Sequence, residues 1–404
     1  MSSSNPPTLS NGRLQSIDAL RGIAALCVVL YHGVLQTQNS VPANIFQWPV
    51  KGVVFLSSLG YIGVFLFFVI SGFCIHLQWA KSQIGNPQPI RFGAFWKRRI
   101  RRLYPPYLIA IFLFLAMAAF SVGIDVTHFF VYDVVMHLLM LHNLDPHTCY
   151  SINGVFWTLA IEEQLYLAYF LLLYLRKRWG WGVTLLTCAM ARVGWFFLSH
   201  AVWLTTGYGL PVPEAAASHW FTWALGALAV EAAVGLVELP KWCRNIWLCL
   251  ITIVGASAIS LTLPYIQKDT LLHDGAWMLM HPLWGFGFFV VVNRAVNAER
   301  NWIERLRQPR LVTLAAALGV FSYSLYLTHE LVIMQSWRLA IHSLPPILNT
   351  LLVITPATIG FAWLYYRFCE KPYMRKPATK PSEQRVEEPT PVFNSNVSIA
   401  TEEA

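Results

Sequence analysis

Arg21 and His32 are separated by ten residues, every one apolar, small or Tyr31. Eleven helical positions advance about 16 Å and complete about three turns, so the two side chains share one face about half a bilayer apart. The segment that carries them, Ser16–Val34, is long and apolar enough to cross lipid. Ionisable residues are rare in such segments and point to function. An imidazole can take a hydroxyl proton near neutral pH, so His32 is a candidate general base. Arg21 can hold a phosphate or a polarised carbonyl. Alternatively it snorkels to headgroups, or pairs with Asp18 three residues earlier. Glu162 and Glu163 sit in another apolar stretch, where a carboxylate calls for a cavity or a partner. The cluster Arg98, Arg99, Arg101, Arg102 offers guanidinium forks that match oxyanions, or else forms an ordinary basic cytoplasmic loop. His329 lies in the outer part of a late apolar span, where it can pair with a substrate, Tyr323 or Glu330.

The elements that position these groups are predicted to be membrane helices. Of 404 residues, 56% are hydrophobic and 12% charged, about half the charge of a soluble domain. About ten continuous apolar runs approach the ~20 residues of a transmembrane helix, which argues against a β-barrel. They fall near 16–34, 58–79, 103–122, 153–175, 181–198, 219–237, 246–263, 275–292, 311–334 and 348–368. The fold class is therefore all-α and polytopic. With a cytoplasmic N-terminus, nearly all Lys and Arg outside the spans fall on the cytoplasmic side, Lys51 and Lys268 excepted. Both termini are then cytoplasmic. The same asymmetry accounts for the net charge of +9 without invoking nucleic acid. Residues 1–15 form a polar segment with no cleavable-signal pattern, 16–376 the membrane domain, and 377–404 a tail too polar to fold. A basic loop is expected at 81–102 and another charged loop at 293–310. The His- and Asp-rich stretch 125–147 has no standard metal spacing and reads as a glycan-facing or solvated loop, with a short interfacial helix near 129–141. The cysteines carry no CxxC pattern, so no metal site is expected.

Several stretches together resemble the acyltransferase-3 family, membrane-bound O-acyltransferases of bacterial surface glycans. Arg21-x10-His32 resembles its signature, and Ser16-Ile-Asp-Ala-Leu-Arg-Gly-Ile-Ala-Ala25 its opening. Gly63-Val-Phe-Leu-Phe-Phe-Val-Ile-Ser-Gly-Phe73 and Arg98-Arg-Ile-Arg-Arg-Leu-Tyr-Pro105 are similar to its second-helix and basic motifs. Trp157-Thr-Leu-Ala-Ile-Glu-Glu163 resembles Trp-Ser-Leu-x-x-Glu, with Thr158 where serine is common. Phe321-Ser-Tyr-Ser-Leu-Tyr-Leu-Thr-His329 and Glu370-Lys-Pro372 resemble its late motifs.

The resemblance implies a multi-pass O-acyltransferase of the bacterial inner membrane, in a form without a fused hydrolase-like domain. It holds no permanent cofactor and uses acetyl-CoA or another acyl-CoA as donor. Its partners are membrane lipids and a glycan or lipid-linked acceptor. His32 acts as base, with Glu162 orienting it or the substrate hydroxyls and Arg21 supporting the donor. Arg98, Arg99 and Arg102 hold the coenzyme A phosphates. Glu163, His329 and Tyr323 serve the substrate or the surrounding shell. Ser71, Gly72 and Ser322 are expected chiefly to let helices approach closely. The competing class is a secondary transporter that uses the intramembrane His, Glu and Arg as a proton relay. No internal repeat supports it.

Overall fold

The computed structural model describes residues 14–38, 59–84, 89–121, 128–267, 271–304, 309–339, 341, 344 and 346–374. All regular structure among them is helical. The principal helices are α1 (Gln15–Gln38), α2 (Gly63–Ser82), α3 (Phe92–Ser121), α4 (His128–Leu138), α5 (Trp157–Thr206), α6 (Ala216–Val234), α7 (Ile246–Thr262), α8 (Leu271–Glu304), α9 (Arg310–Val320) and α10 (Ser322–Met334). A final helical segment, α11 (Ile347–Tyr373), passes through π-helical turns at Thr350–Ile354 and Tyr366–Glu370. Seven of the described helices are long and apolar enough to cross a membrane, or eight if the bent pair α9–α10 counts as one span. This all-α polytopic architecture agrees with the composition. The segments expected at 1–15 and 377–404, and Lys51 and Lys268, lie outside the described residues or at their edge.

The difference from about ten spans has local causes. The two runs at 153–175 and 181–198 are continuous in α5 except at Gly180, whose φ of 77° and ψ of −177° break the helix in two. Glycine reaches that conformation without a Cβ penalty, and Arg176-Lys-Arg178 just before it complements the end of the first half. α6 opens with a polar turn containing Ser218 and His219 and buries Glu231, and it is not among the helices apolar enough by composition to cross a membrane. That Glu231 carboxylate is held by Arg176 at 2.7 Å, His76 at 3.0 Å and Trp181 at 2.8 Å. A buried carboxylate so satisfied ties α2, α5 and α6 together.

Two expected loops are helical. The basic run does not end a loop at Arg102, because α3 begins at Phe92 and continues through Pro105 and Pro106. Phe95 is buried against Tyr169, with ring centroids 5.6 Å apart, and anchors this first portion. Near the prolines, Tyr323 donates to the Leu103 carbonyl at 2.9 Å and Tyr365 to the Pro106 carbonyl. These bonds tie α3 to α10 and α11 beside the two prolines. The charged run from 293 also stays helical, to Glu304. Glu299 there caps α1, accepting from the backbone N–H groups of Gln15 and Ser16 at 2.9 Å each.

α1 is the element around which the site is assembled, packing against α2, α9 and α10. A methyl at Gly319 of α9 would come 1.9 Å from the Asp18 carbonyl oxygen, and one at Gly22 would come 2.0 Å from that of Ala315. α2 and α6 cross just as closely: a methyl at Gly72 would meet the Trp223 carbonyl oxygen, and one at Gly226 that of Val69, each at 1.9 Å. The small-residue expectation thus holds for Gly72. Backbone-to-backbone approach of this kind replaces hydrophobic driving force as the glue between helices in lipid.

The His/Asp-rich stretch differs from a solvated loop. Asp133, His137 and His142 are buried. The rings of His137 and His142 stack at 4.0 Å with 5° between planes, and Asp133 lies 3.1 Å from His137 Nδ1. Asp125 lies outside the described residues.

Candidate active site

Two cavities lie back to back in the bundle, and Val64 and Tyr326 line both. The first has a volume of about 110 Å³ and is lined by Arg21, Arg99, Arg102, Ser71, Glu162, Ser322 and Tyr323, among others. α1 supplies Arg21, α3 two arginines one helical turn apart, and α5 the glutamate. Helical periodicity sorts the basic cluster: positions three apart share a face, so Arg99 and Arg102 reach the cavity together. Arg101 is exposed, and Arg98 is absent from the lining. Arg99 is held in place by aromatic faces, 5.6 Å from the ring centroids of both Phe95 and Tyr166. Arg102 keeps a buried Nε–H without a hydrogen-bond acceptor among the described residues. Glu162 accepts from Tyr166 at 3.1 Å and from Ser71. Glu370, bonded by Ser324 at 2.6 Å, lies within electrostatic range of Arg102 and Arg21. The lining itself carries three guanidinium groups against one carboxylate, which suits an anionic ligand.

The second cavity, about 280 Å³, is lined by His32, Tyr31, Tyr61, Trp157, Glu214, His219 and His281, among others. Here the hydrogen bonds fix where protons sit. His329 Nδ1 lies 2.8 Å from the Tyr326 carbonyl oxygen and 3.2 Å from that of Leu325. Carbonyls only accept, so His329 carries its proton on Nδ1 and presents a bare Nε2. That Nε2 is 3.2 Å from His32 Nδ1, which also faces the Val28 carbonyl oxygen at 3.1 Å. Both partners of His32 Nδ1 are acceptors, so His32 carries its proton there. Its Nε2 is then unprotonated and lies 3.5 Å from Glu330 Oε1.

The sequence-predicted residues therefore divide. Arg21, Arg99, Arg102, Glu162, Ser71, Ser322 and Tyr323 come together in the first cavity, and His32 lies in the second. Glu162 does not reach His32, and the carboxylate beside the imidazole is Glu330. Glu162 is instead engaged by Ser71 and Tyr166, on the arginine side of the Val64–Tyr326 wall. His329 pairs with His32 rather than with Tyr323, whose hydroxyl is used on Leu103. Ser71 and Ser322 are lining residues; Ser71 also accepts from Trp223 Nε1 at 3.3 Å, and Ser322 donates to the Gly319 carbonyl at 3.1 Å. Glu163 is buried with neither carboxylate oxygen hydrogen-bonded among the described residues. Glu330 and Glu370 enter the sequence reading only as a possible partner of His329 and as part of a late motif, and His219 and His281 do not enter it; an ionisable group inside an apolar span was the available signal for each. His32, His329 and Glu330 are also the one group among the described residues whose possible metal-ligating atoms converge, within 4.8 Å of one another. The hydrogen-bond chain through His329 accounts for that convergence.

The arrangement can hold an anion on one side of a thin wall and deprotonate a hydroxyl on the other. Comparison with known proteins agrees with the family resemblance. An O-acetyltransferase, OatA, of Staphylococcus aureus is 26% identical over 388 residues, covering 90% of this chain and 57% of the relative. A peptidoglycan O-acetyltransferase, OatA, of Listeria monocytogenes is 32% identical over 209 residues, covering 48% of this chain and 29% of the relative. The chain thus spans less than two thirds of the length of these relatives. No solved structure matches. The acyltransferase domain family matches residues 14–367, nearly the whole helical bundle, and the chain belongs to that acyltransferase-3 family.

Proposed function

We propose that this protein is an integral-membrane O-acyltransferase that moves an acyl group, acetyl in the simplest case, from acyl-CoA to a hydroxyl of a glycan. The observation that carries the reading is the pair of cavities sharing Val64 and Tyr326, arginine-rich on one side and lined by His32 on the other. In this reading the donor enters from the cytoplasm, on the side of both termini and of the basic residues, in the bacterial inner membrane. Arg99 and Arg102 hold its phosphates and Arg21 supports the thioester end. The acceptor occupies the second cavity, whose aromatic lining suits a sugar. The name of the Listeria monocytogenes relative, a peptidoglycan O-acetyltransferase, favours a cell-wall glycan as acceptor.

In the step itself, His32 Nε2 takes the proton of the acceptor hydroxyl as its oxygen attacks the thioester carbonyl carbon. The new C–O bond forms, the C–S bond breaks, and the coenzyme A thiolate leaves and receives that proton. Glu330, 3.5 Å away, stabilises the imidazolium between the two proton movements. His329 is a positioning residue that keeps the proton of neutral His32 on Nδ1. Acyl-CoA is a substrate here and not a resident cofactor.

The test uses purified protein in liposomes with labelled acetyl-CoA and cell-wall glycan fragments. Ester-linked label that disappears in His32→Ala is the expected result. Full transfer by His32→Ala, or movement of an unmodified solute without ester formation, would overturn the reading.

A further inference from the structure

The second cavity contains two histidines that the proposed chemistry does not use. His219 and His281 both line it, and both are buried. Their rings lie 5.5 Å apart at 27°, with Phe65 against each, at 5.7 Å and 4.9 Å.

Their partners again dictate where the protons are. His219 Nε2 is 2.6 Å from the Pro213 carbonyl oxygen. Only an N–H can make that bond, so His219 Nδ1 carries a bare lone pair. This Nδ1 is buried and has no hydrogen-bond partner among the described residues. His281 has the opposite arrangement. Its Nδ1 is 3.2 Å from Arg192 Nη1, and a guanidinium only donates. His281 must therefore accept at Nδ1 and carry its proton on Nε2. Arg192 cannot turn away, because it also donates to the Ser218 carbonyl at 3.1 Å and to the Trp277 carbonyl at 2.9 Å, with Trp277 4.0 Å beneath its plane.

Two residues that line one cavity thus carry a fixed acceptor, His219 Nδ1, and a fixed donor, His281 Nε2–H. The ligand group that completes both bonds with a single atom is a hydroxyl, which donates to the first and accepts from the second. We propose that His219 and His281 form an acceptor subsite that reads a second, non-reacting hydroxyl of the glycan, the reacting one being at His32. The inference rests on the acyl-transfer reading for which hydroxyl reacts, and on hydrogen-bond chemistry alone for the subsite. It narrows the acceptor class to sugars with at least two free hydroxyls within the reach of one cavity. A site built to bond a hydroxyl discriminates strongly against its absence, because both histidines would then be left unpaired.

Paired amide substitutions test this. An Asn amide reaches roughly to the position of histidine Nδ1, and a Gln amide roughly to Nε2. His219→Asn and His281→Gln retain the cavity-facing groups and should keep acceptor KM within about threefold. His219→Gln and His281→Asn retain only the buried ties to Pro213 and Arg192. They should raise acceptor KM at least tenfold while leaving acetyl-CoA KM unchanged. A purely structural role gives the reverse ranking and overturns the proposal, as does an equal effect of all four. A turnover-free measurement separates this from the acyl-transfer reading. In histidine-¹⁵N-labelled protein in nanodiscs, a disaccharide fragment of peptidoglycan should shift the bare nitrogen of His219 and the protonated nitrogen of His281. Absence of that shift overturns the subsite even if acetyl transfer is active. Its presence supports the subsite even if wild-type protein transfers no acetyl.

Discussion

Replacement of His329 by alanine separates a positioning role from a catalytic one, because the structure sets the size of the effect. His32 Nδ1 has two acceptors, His329 Nε2 at 3.2 Å and the Val28 carbonyl at 3.1 Å. His329→Ala removes one and leaves the other, so the imidazole keeps a reason to hold its proton on Nδ1. The loss is that of one hydrogen bond in a half-buried site, about 1 kcal/mol, or roughly fivefold in rate. Removal of the general base itself, in His32→Ala, is worth about 10²–10⁴. The two variants should therefore differ by more than tenfold in transfer of labelled acetyl at saturating donor and acceptor. His329→Gln, whose amide oxygen can accept near the former Nε2, should recover most of the fivefold. Folding is monitored in parallel by thermal unfolding in detergent. If His329→Ala matches His32→Ala while its melting temperature is unchanged, His329 touches the reacting atoms and the positioning role is wrong. If it has no effect and His329→Gln also has none, the His329–His32 bond does not order the base.

Further outcomes follow from other parts of the structure. Arg99→Gln and Arg102→Gln should each raise the apparent KM for acetyl-CoA about tenfold or more, the worth of a charge-assisted bond to phosphate. Arg98→Gln, which lies outside the cavity, should change it less than about twofold. Gly226→Ala inserts a methyl 1.9 Å from the Val69 carbonyl and should destabilise the α2–α6 pair by about 1–3 kcal/mol. Gly182→Ala, with open space at the same distance, serves as its control in thermal unfolding. His142 is held neutral by burial, reinforced by stacked His137, and its pKa falls to about 3 from 6.5. Its folded value lies below its unfolded one, so the associated stability is complete above pH 6.5 and is lost as pH falls towards 3. The expected slope is up to about 1.4 kcal/mol per pH unit, measured by denaturation between those limits and flattened in His142→Gln.

What the sequence made legible was local. The Arg21–His32 spacing lies on one helix, so periodicity alone aligned the pair, and the apolar runs marked the helices. The sorting of Arg98 from Arg99 and Arg102 required knowing that the basic run is helical. A run of cations reads as a loop, and the tyrosines that bond the backbone beside Pro105 and Pro106 come from α10 and α11, far along the chain. The partner of His32 is 297 positions away, and no periodicity connects α1 with α10. Glu162 is matched to His32, or to the substrate hydroxyls, only through the family resemblance, and Val64 and Tyr326 lie between their cavities. The buried His137–His142 pair falls in a stretch that reads from sequence as a glycan-facing or solvated loop with a short interfacial helix, because composition carries no record of which polar residues find each other.

The wall shared by the two cavities also bears on the energy economy of the cell. Tyr326 is no loose gate, since its hydroxyl is fixed by Thr158 at 2.7 Å and the Val155 carbonyl at 3.2 Å. In the proposed reaction only the thioester end of the donor reaches past Val64 and Tyr326 to meet the acceptor hydroxyl, while the hydrated parts of donor and acceptor stay on their own sides. Such a bundle exports a chemical group without opening a continuous water path, and so leaves the proton gradient of its membrane intact.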